Sequence, residues 1–365
     1  MQFCIIKINF LYKKFIYKSL LNFYLIKVSI KIFKAAILTG TKKIELHNFL
    51  IPNKLRDDQV LVKINYTGVC GSQIMEFLGN RGKDNFLPHA FGHEATGQVI
   101  SIGKKVKKVS INDEVILSWI KGEGLDYGGF QLANIKNQKI NFGSISTFSS
   151  FAIVSENRVF LKPKKMSKVE AVLYGCATPT GAGIVINQLK EIKKKHKVCL
   201  IGVGGVGMAA LLALIKKRPQ IFVIEKNKNK QKFLKKFNVN ILNDKELNAY
   251  NDFFDFCIET SGTTNMIEQG FDLIKKNGKI VFASHPKNSK KIKLNPHDLI
   301  SGKRLYGSWG GNCNLYIDIN KIFEYFNKKN IFSTSAKVSF FNLENINQAF
   351  NKVISGQINR AIIKF

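Results

Sequence analysis

One short segment constrains the fold of this 365-residue chain more than any other. Val198-Cys-Leu-Ile201 is an apolar run, Gly202-Val-Gly-Gly-Val-Gly207 is a glycine-rich turn, and residues 208–215 read as a helix that ends before Pro219. Ile221-Phe-Val-Ile224 is a second apolar run, closed by Glu225. Strand, glycine turn, helix and acid-tipped strand within about thirty residues form a unit that cradles a dinucleotide. Gly202 permits the tight turn, Gly204 lets the backbone approach a pyrophosphate, and Gly207 lets the helix pack closely on its sheet. Gly205 and Val206 complete the cradle, where the helix N-terminus offers free amides and a positive dipole end to phosphates. Glu225 is placed to hydrogen-bond the adenosine ribose hydroxyls. Its charge opposes a 2′-phosphate, so NAD is expected over NADP, a preference that Lys226 and Lys228 soften.

The alternation continues downstream, with a helix around Phe233, strands at 253–259 and 279–283, a helix at 265–274 and a further strand at 305–307. That is the pattern of a doubly wound parallel sheet, a Rossmann-type α/β domain. The first half reads differently. Val60, Val62, Ile64 and Tyr66 alternate with more polar neighbours, and short runs at 97–102, 114–117 and 151–154 follow with glycines between them. Period-two patterning of this kind predicts a small antiparallel barrel. The last strand-like run, 360–365, has no helix after it, so the chain should return to the barrel after about Cys313. A chain of this length usually needs two cores. The expected domains are 34–178 with 314–365, and 179–313.

A net charge of +32 invites a nucleic-acid reading, yet of 57 basic residues only six are Arg, and the lysines are spread along the chain beside much Asn, Ile and Phe. Nucleic-acid sites cluster their charge and favour the bidentate Arg fork, so the charge reflects a compositional bias and no nucleic-acid partner is expected. Six scattered cysteines do not form a secreted disulfide pattern, which points to a reducing compartment, the cytoplasm. Residues 1–33 form a basic, apolar extension without an acidic residue. Lysines interrupt it too often for a spanning helix of about 20 apolar residues or for a secretory signal core. A basic amphipathic anchor on a membrane surface is one reading, and an extension without function is the preferred one.

Three further segments carry chemistry: Gly68-Val-Cys-Gly-Ser72, Gly92-His-Glu94 and Tyr174-Gly-Cys-Ala-Thr-Pro-Thr-Gly181. With them, residues 34–365 closely resemble the medium-chain, zinc-dependent alcohol dehydrogenases. Ser146-Thr-Phe-Ser and Leu299-Ile-Ser-Gly-Lys are most similar to the branch of liver-type alcohol dehydrogenases and glutathione-dependent formaldehyde dehydrogenase. The resemblance implies a GroES-like barrel joined to the Rossmann domain and one catalytic Zn2+ held by Cys70, His93 and Cys176. Two thiolates and an imidazole suit this ion and leave a fourth position open. By itself each would be unremarkable, since a lone cysteine is usually a small buried hydrophobe. Glu94 is implied beside the metal, as an acid behind the ligands or as an occasional ligand itself. Ser72 is implied as the hydroxyl that passes the substrate proton outward, Thr180 as packing on the nicotinamide, and Arg360 as meeting the cofactor pyrophosphate. The bland alternatives are a turn hydroxyl for Ser72, a helix cap for Thr180 and a surface cation for Arg360.

Several positions depart from the family pattern. Gln73 stands where an Asp is usual and could still hydrogen-bond the ligand imidazole. Met75 replaces a relay histidine, so the proton path ends in water or cofactor ribose. Trp119-Ile-Lys-Gly-Glu-Gly-Leu-Asp-Tyr-Gly-Gly occupies the region of the four structural-zinc cysteines, so one zinc per chain is expected and the glutathione contacts are lost. Trp119 and Trp309 are candidate pocket residues, whereas Cys199, Cys257 and Cys313 are expected in or near the core. His47, His89, His196, His285 and His297 are expected to be non-ligands. The expected activity is hydride transfer between an alcohol, or its aldehyde or ketone, and NAD(H), in a homo-oligomer. The competing reading, motivated by Gln73 and Met75, is a catalytically silent NAD(H)-binding sensor or scaffold.

Overall fold

A computed structural model describes residues 32–287, 289–335 and 338–365. The expectations for residues 1–31 lie outside the described residues. The first strand, Ile32–Gly40, begins two residues before the expected domain boundary because Phe33 is already core: its ring stacks on Phe49 at 5.5 Å.

The patterned strand Gln59–Gly68 is the centre of the barrel. It pairs antiparallel with Glu94–Ile102, with Phe151–Ser155 and with the C-terminal strand Arg360–Lys364. Leu61 is buried as well as Val60, Val62 and Ile64, so both faces of the strand are covered there. Beyond Glu94–Ile102 lie Glu114–Ser118 and Val159–Leu161. A second sheet orders Lys43–Leu50, Ile32–Gly40, His89–Ala90, Lys139–Gly143 and Phe130–Ala133. The barrel is antiparallel with two exceptions, His89–Ala90 on Lys139–Gly143 and Val338–Asn342 on Arg360–Lys364.

The cofactor-type domain is a six-stranded parallel sheet. Its order is Asn240–Leu242, Gln220–Ile224, Lys197–Ile201, Phe254–Glu259, Ile274–Phe282 and Arg304–Gly307. The order reverses at Lys197–Ile201, the switch point where doubly wound sheets open a crevice for ligands. The helix Gly205–Lys217 follows that strand, buries residues 207–214 and stops at Arg218, whose φ is 59°. Cys199 and Cys257 lie side by side on neighbouring strands of this sheet and are fully buried, as core residues.

The helix Leu315–Tyr325 follows Cys313, and its buried Leu315, Ile319, Ile322 and Phe323 belong to a core that also holds Leu211 and Leu214 of the cofactor helix and Ile116 and Phe160 of the barrel. An apolar stripe of that width is stable only against another packed layer. The barrel is rejoined at Val338–Asn342. Among the described residues no single helix is long and apolar enough to cross a bilayer. The apolar pair Lys168–Tyr174 and Ala177–Gln188 is bent by 58° and belongs to the core between the domains.

The C-terminal helix Ile346–Ile354 supplies Phe350, which is fully buried against Phe77, Phe91 and Phe148, with ring centroids 5.1 to 5.7 Å apart. Phe77 ends the helix that follows Cys70 and Phe91 lies two residues before His93, so this aromatic cluster underpins two of the implied metal ligands. Phe350→Ala should therefore cost about 3–5 kcal/mol in chemical denaturation. It should also increase the rate at which a chelator strips zinc, an outcome that a substitution at the distant Phe254 would not produce.

Candidate active site

Each implied ligand sits where regular structure stops. Cys70 follows the strand Gln59–Gly68 and caps the helix Gly71–Phe77, with its N–H donated to Gln73 Oε1 at 2.8 Å. His93 occupies the loop between His89–Ala90 and Glu94–Ile102. Cys176 separates the helices Lys168–Tyr174 and Ala177–Gly183 with φ −153° and ψ −76°. Segments up to 106 residues apart thereby place the Cys70 and Cys176 sulfurs 3.7 Å from each other. One donor atom from each of the three residues lies within 4.8 Å of the others.

This donor set fits zinc. Two sulfurs about 2.3 Å from one ion at the tetrahedral angle stand about 3.8 Å apart. The Nε2 of His93 is shielded from solvent and has no hydrogen-bond partner among the described residues. A hydrogen bond from Cys176, aided by His93 and Arg360, holds the Cys70 thiol well below its usual range, whereas the same contact and burial push Cys176 up.

Glu94, next to His93, is fully buried. One of its oxygens pairs with Arg360, itself 5% exposed, and the other has no partner among the described residues. Burial pushes the Glu94 carboxyl up to about 7, with Arg360 pulling the other way. Arg360 is thus no surface cation. Its guanidinium also borders the glycine turn, because a Cβ built on Gly205 would stand 3.0 Å from Nη1. Gly204, Gly205 and Arg360 line one cleft, and no atom lies within 4 Å of a Cβ position at Gly204, so the turn's backbone is approachable. Gly202 has φ +80°, and a side chain on Gly207 would overlap the Gly202 carbonyl. These are the close approaches a dinucleotide cradle requires. The Glu225 carboxylate braces the cradle, accepting N–H groups from Val203 and Asn227, each at 2.9 Å. Each oxygen keeps a further acceptor position.

A cavity of about 400 Å³ opens beside the ligands and is lined by Ser72, Thr180, Val206, Trp119, Trp309, Arg81 and His285, among others. The Thr180 hydroxyl donates to the Cys176 carbonyl at 2.8 Å, fixing the ligand's own turn of helix. Trp119 Nε1 donates to Cys176 Sγ at 3.2 Å, and Arg158 donates to the Trp119 carbonyl. Trp309 meets Trp119 edge to face with ring centroids at 4.9 Å. Among the described residues Gln73 makes no hydrogen bond to the His93 ring: its Oε1 is taken by the Cys70 backbone, and its Nε2 has no partner. The short helix after Cys70 explains this, since Gln73 is at the position from which a side chain reaches back to the cap. Arg81, Arg158 and His285 were invisible as site residues in the sequence, where isolated cations and a loop histidine carry no spacing signal. A second grouping, Glu76, Asp84 and His89, is explained by hydrogen bonding. His89 Nε2 lies 2.9 Å from Asp84, and Nδ1 lies 3.0 Å from the Ala90 carbonyl.

Comparison with known proteins places this geometry. Residues 56–164 match the alcohol dehydrogenase GroES-like domain, and residues 205–327 match the zinc-binding dehydrogenase domain. S-(hydroxymethyl)glutathione dehydrogenase of Komagataella pastoris is 25% identical, over 84% of this chain and 91% of its own. Alcohol dehydrogenase class-3 of Drosophila melanogaster is also 25% identical, over 84% and 90%. The crystal structure of benzyl alcohol dehydrogenase from Acinetobacter calcoaceticus shares the fold, with a TM-score of 0.81 at 24% identity, over 92% of this chain and all of that one (100%). The two-domain fold, with its Cys-His-Cys group at the domain seam, is that of a zinc-type dehydrogenase. The chain belongs to the zinc-dependent alcohol dehydrogenase family.

Elemental analysis of purified protein should find one zinc per chain. Cys176→Ser should reduce it to below about a tenth, because an open three-ligand site does not hold zinc well on two donors. In Co2+-substituted protein, Trp119→Phe should shift the sulfur-to-metal charge-transfer band, since it removes the N–H that bonds Cys176 Sγ.

Proposed function

We propose that the chain catalyses reversible hydride transfer between the carbinol carbon of a small alcohol and NAD+, giving the aldehyde or ketone, NADH and a proton. One observation carries this reading: the three converged donors, Thr180 and Val206 line a single cavity at the N-terminal end of the cofactor helix. Zinc held by Cys70, His93 and Cys176 would supply Lewis-acid polarisation of the substrate oxygen.

The protein's own groups do the rest. The Ser72 hydroxyl, on the cavity wall two residues after Cys70, accepts the alcohol proton and passes it to water or the cofactor ribose, since Met75 offers no relay. Thr180 and Val206 bear on the nicotinamide and set it against the substrate carbon. Gly204, Gly205 and the helix N-terminus hold the pyrophosphate with Arg360, whose second role is to neutralise Glu94. Glu225 hydrogen-bonds the adenosine ribose and disfavours a 2′-phosphate. Trp119 and Trp309 wall the cavity and keep bulk water from the reacting atoms.

This reading includes a cytoplasmic homo-oligomer acting on a small molecule, with no nucleic-acid or membrane partner. S-(hydroxymethyl)glutathione is not among the expected substrates, because a Trp-containing segment fills the lobe that would contact its peptide. The silent-scaffold reading has lost its main support, because Gln73 secures Cys70 and all three donors converge.

NADH formation followed at 340 nm with primary, secondary and polyol substrates should reveal turnover that Cys70→Ser lowers by at least about 10³-fold while NADH binding persists. A zinc-loaded, folded preparation inert toward the whole panel would refute the assignment. Glu225→Ser should raise the NADP-to-NAD ratio of kcat/KM by about 10- to 100-fold.

A further inference from the structure

The cavity beside the metal donors has a cation on its rim and no carboxylate on its wall. None of its lining residues is Asp or Glu, yet Arg81 is among them. Arg56, Arg158, Arg304 and Arg360 each reach an acceptor of the protein itself. Arg81 has no hydrogen-bond or carboxylate partner among the described residues, and it stands exposed at the cavity rim. His285 lies on the same wall, with its ring 5.8 Å from that of Trp309. Burial and the Arg81 charge together hold His285 below the usual imidazole range. The Ser308 hydroxyl completes a polar end, its proton donated to Gln188 at 2.5 Å and its oxygen free to accept.

A guanidinium at the rim of a walled cavity, with no counter-ion among the described residues, suits a bidentate oxyanion, carboxylate or phosphate. Lysine supplies most of the positive charge in this chain, but a planar fork in this place adds geometry as well as charge. We propose that the substrate is an anionic alcohol, a hydroxy acid or a phosphate monoester, whose oxyanion pairs with Arg81 while its carbinol faces Cys70, His93 and Cys176. His285 bonds the same group or the linker. The proposal rests on the dehydrogenase reading for the identity of the reacting end, but the anion site itself does not require turnover. It also names what sets specificity: the distance from Arg81 to the metal donors selects chain length.

The chain's two tryptophans both line this cavity, so intrinsic fluorescence reports its occupancy directly. With zinc-loaded protein, kcat/KM should be compared for 4-hydroxybutyrate against 1,4-butanediol, and for glycerol 3-phosphate against glycerol. The first pair tests a carboxylate and the second a phosphate. At least one anion should be preferred by about 10-fold or more, and Arg81→Met should reduce that preference by about 10- to 100-fold, chiefly through KM, with Arg81→Lys recovering part of it. In parallel, glutarate and propyl phosphate, which have no carbinol, should be titrated into protein saturated with NAD+. At least one should change tryptophan fluorescence in wild type and much less in Arg81→Met. Equal use of anionic and neutral partners, with no response to Arg81→Met, would overturn the proposal and leave the dehydrogenase reading standing. Arg81-dependent fluorescence without turnover of any alcohol would do the reverse. If Arg81→Met instead weakens NADH binding, the cation serves the cofactor and the proposal fails.

Discussion

The buried pair between Glu94 and Arg360 joins the parts of this protein. Glu94 follows the implied ligand His93 in the barrel, and Arg360 begins the last strand, 266 residues away. The guanidinium lies between that carboxylate and the glycine turn of the other domain. Removing either partner of a buried pair leaves an uncompensated charge, at a cost of about 3–5 kcal/mol. Space for the pair is made by Gly68, where any side chain would strike both Glu94 and Arg360. The strand pairing of Ile362 with Gly68 delivers the arginine there.

Around this pair the ligand loops are held by different means. Gln73 fixes the Cys70 backbone, Thr180 fixes the Cys176 carbonyl, and Trp119 reaches the Cys176 sulfur from the segment anchored by Arg158. Phe350 seals the aromatic cluster beneath the first two ligands. Ligands drawn from separate loops gain a fixed geometry only through such supporting contacts, which orient donors and tune their basicity. The metal site is thus a product of the barrel's closure by the C-terminal segment as much as of the three ligands.

Much of this was legible in the sequence wherever one segment carried both the pattern and its context. The turn from Gly202 to Gly207 with its flanking strands, the parallel alternation and the barrel's period-two runs all appear where expected. One expectation is not met: Gln73 does not hydrogen-bond the His93 imidazole, because its side chain turns to the cap of its own short helix. The short helices around Cys176 left no periodic trace because nearly every position in them is buried.

What the residues determined alone was the local chemistry: a backbone turn that accepts phosphate, soft donors suited to zinc, and the absence of a second cysteine cluster. Such features arise from side-chain identity and backbone sterics within a few positions. Tertiary structure decided which groups meet. It brought sulfurs 106 residues apart to 3.7 Å, buried an arginine that composition would place in water, and set Arg81 and His285 on the lining of the same cavity as the metal donors. Those outcomes depend on strand register and on the packing of one domain against another, which no short stretch of chain encodes.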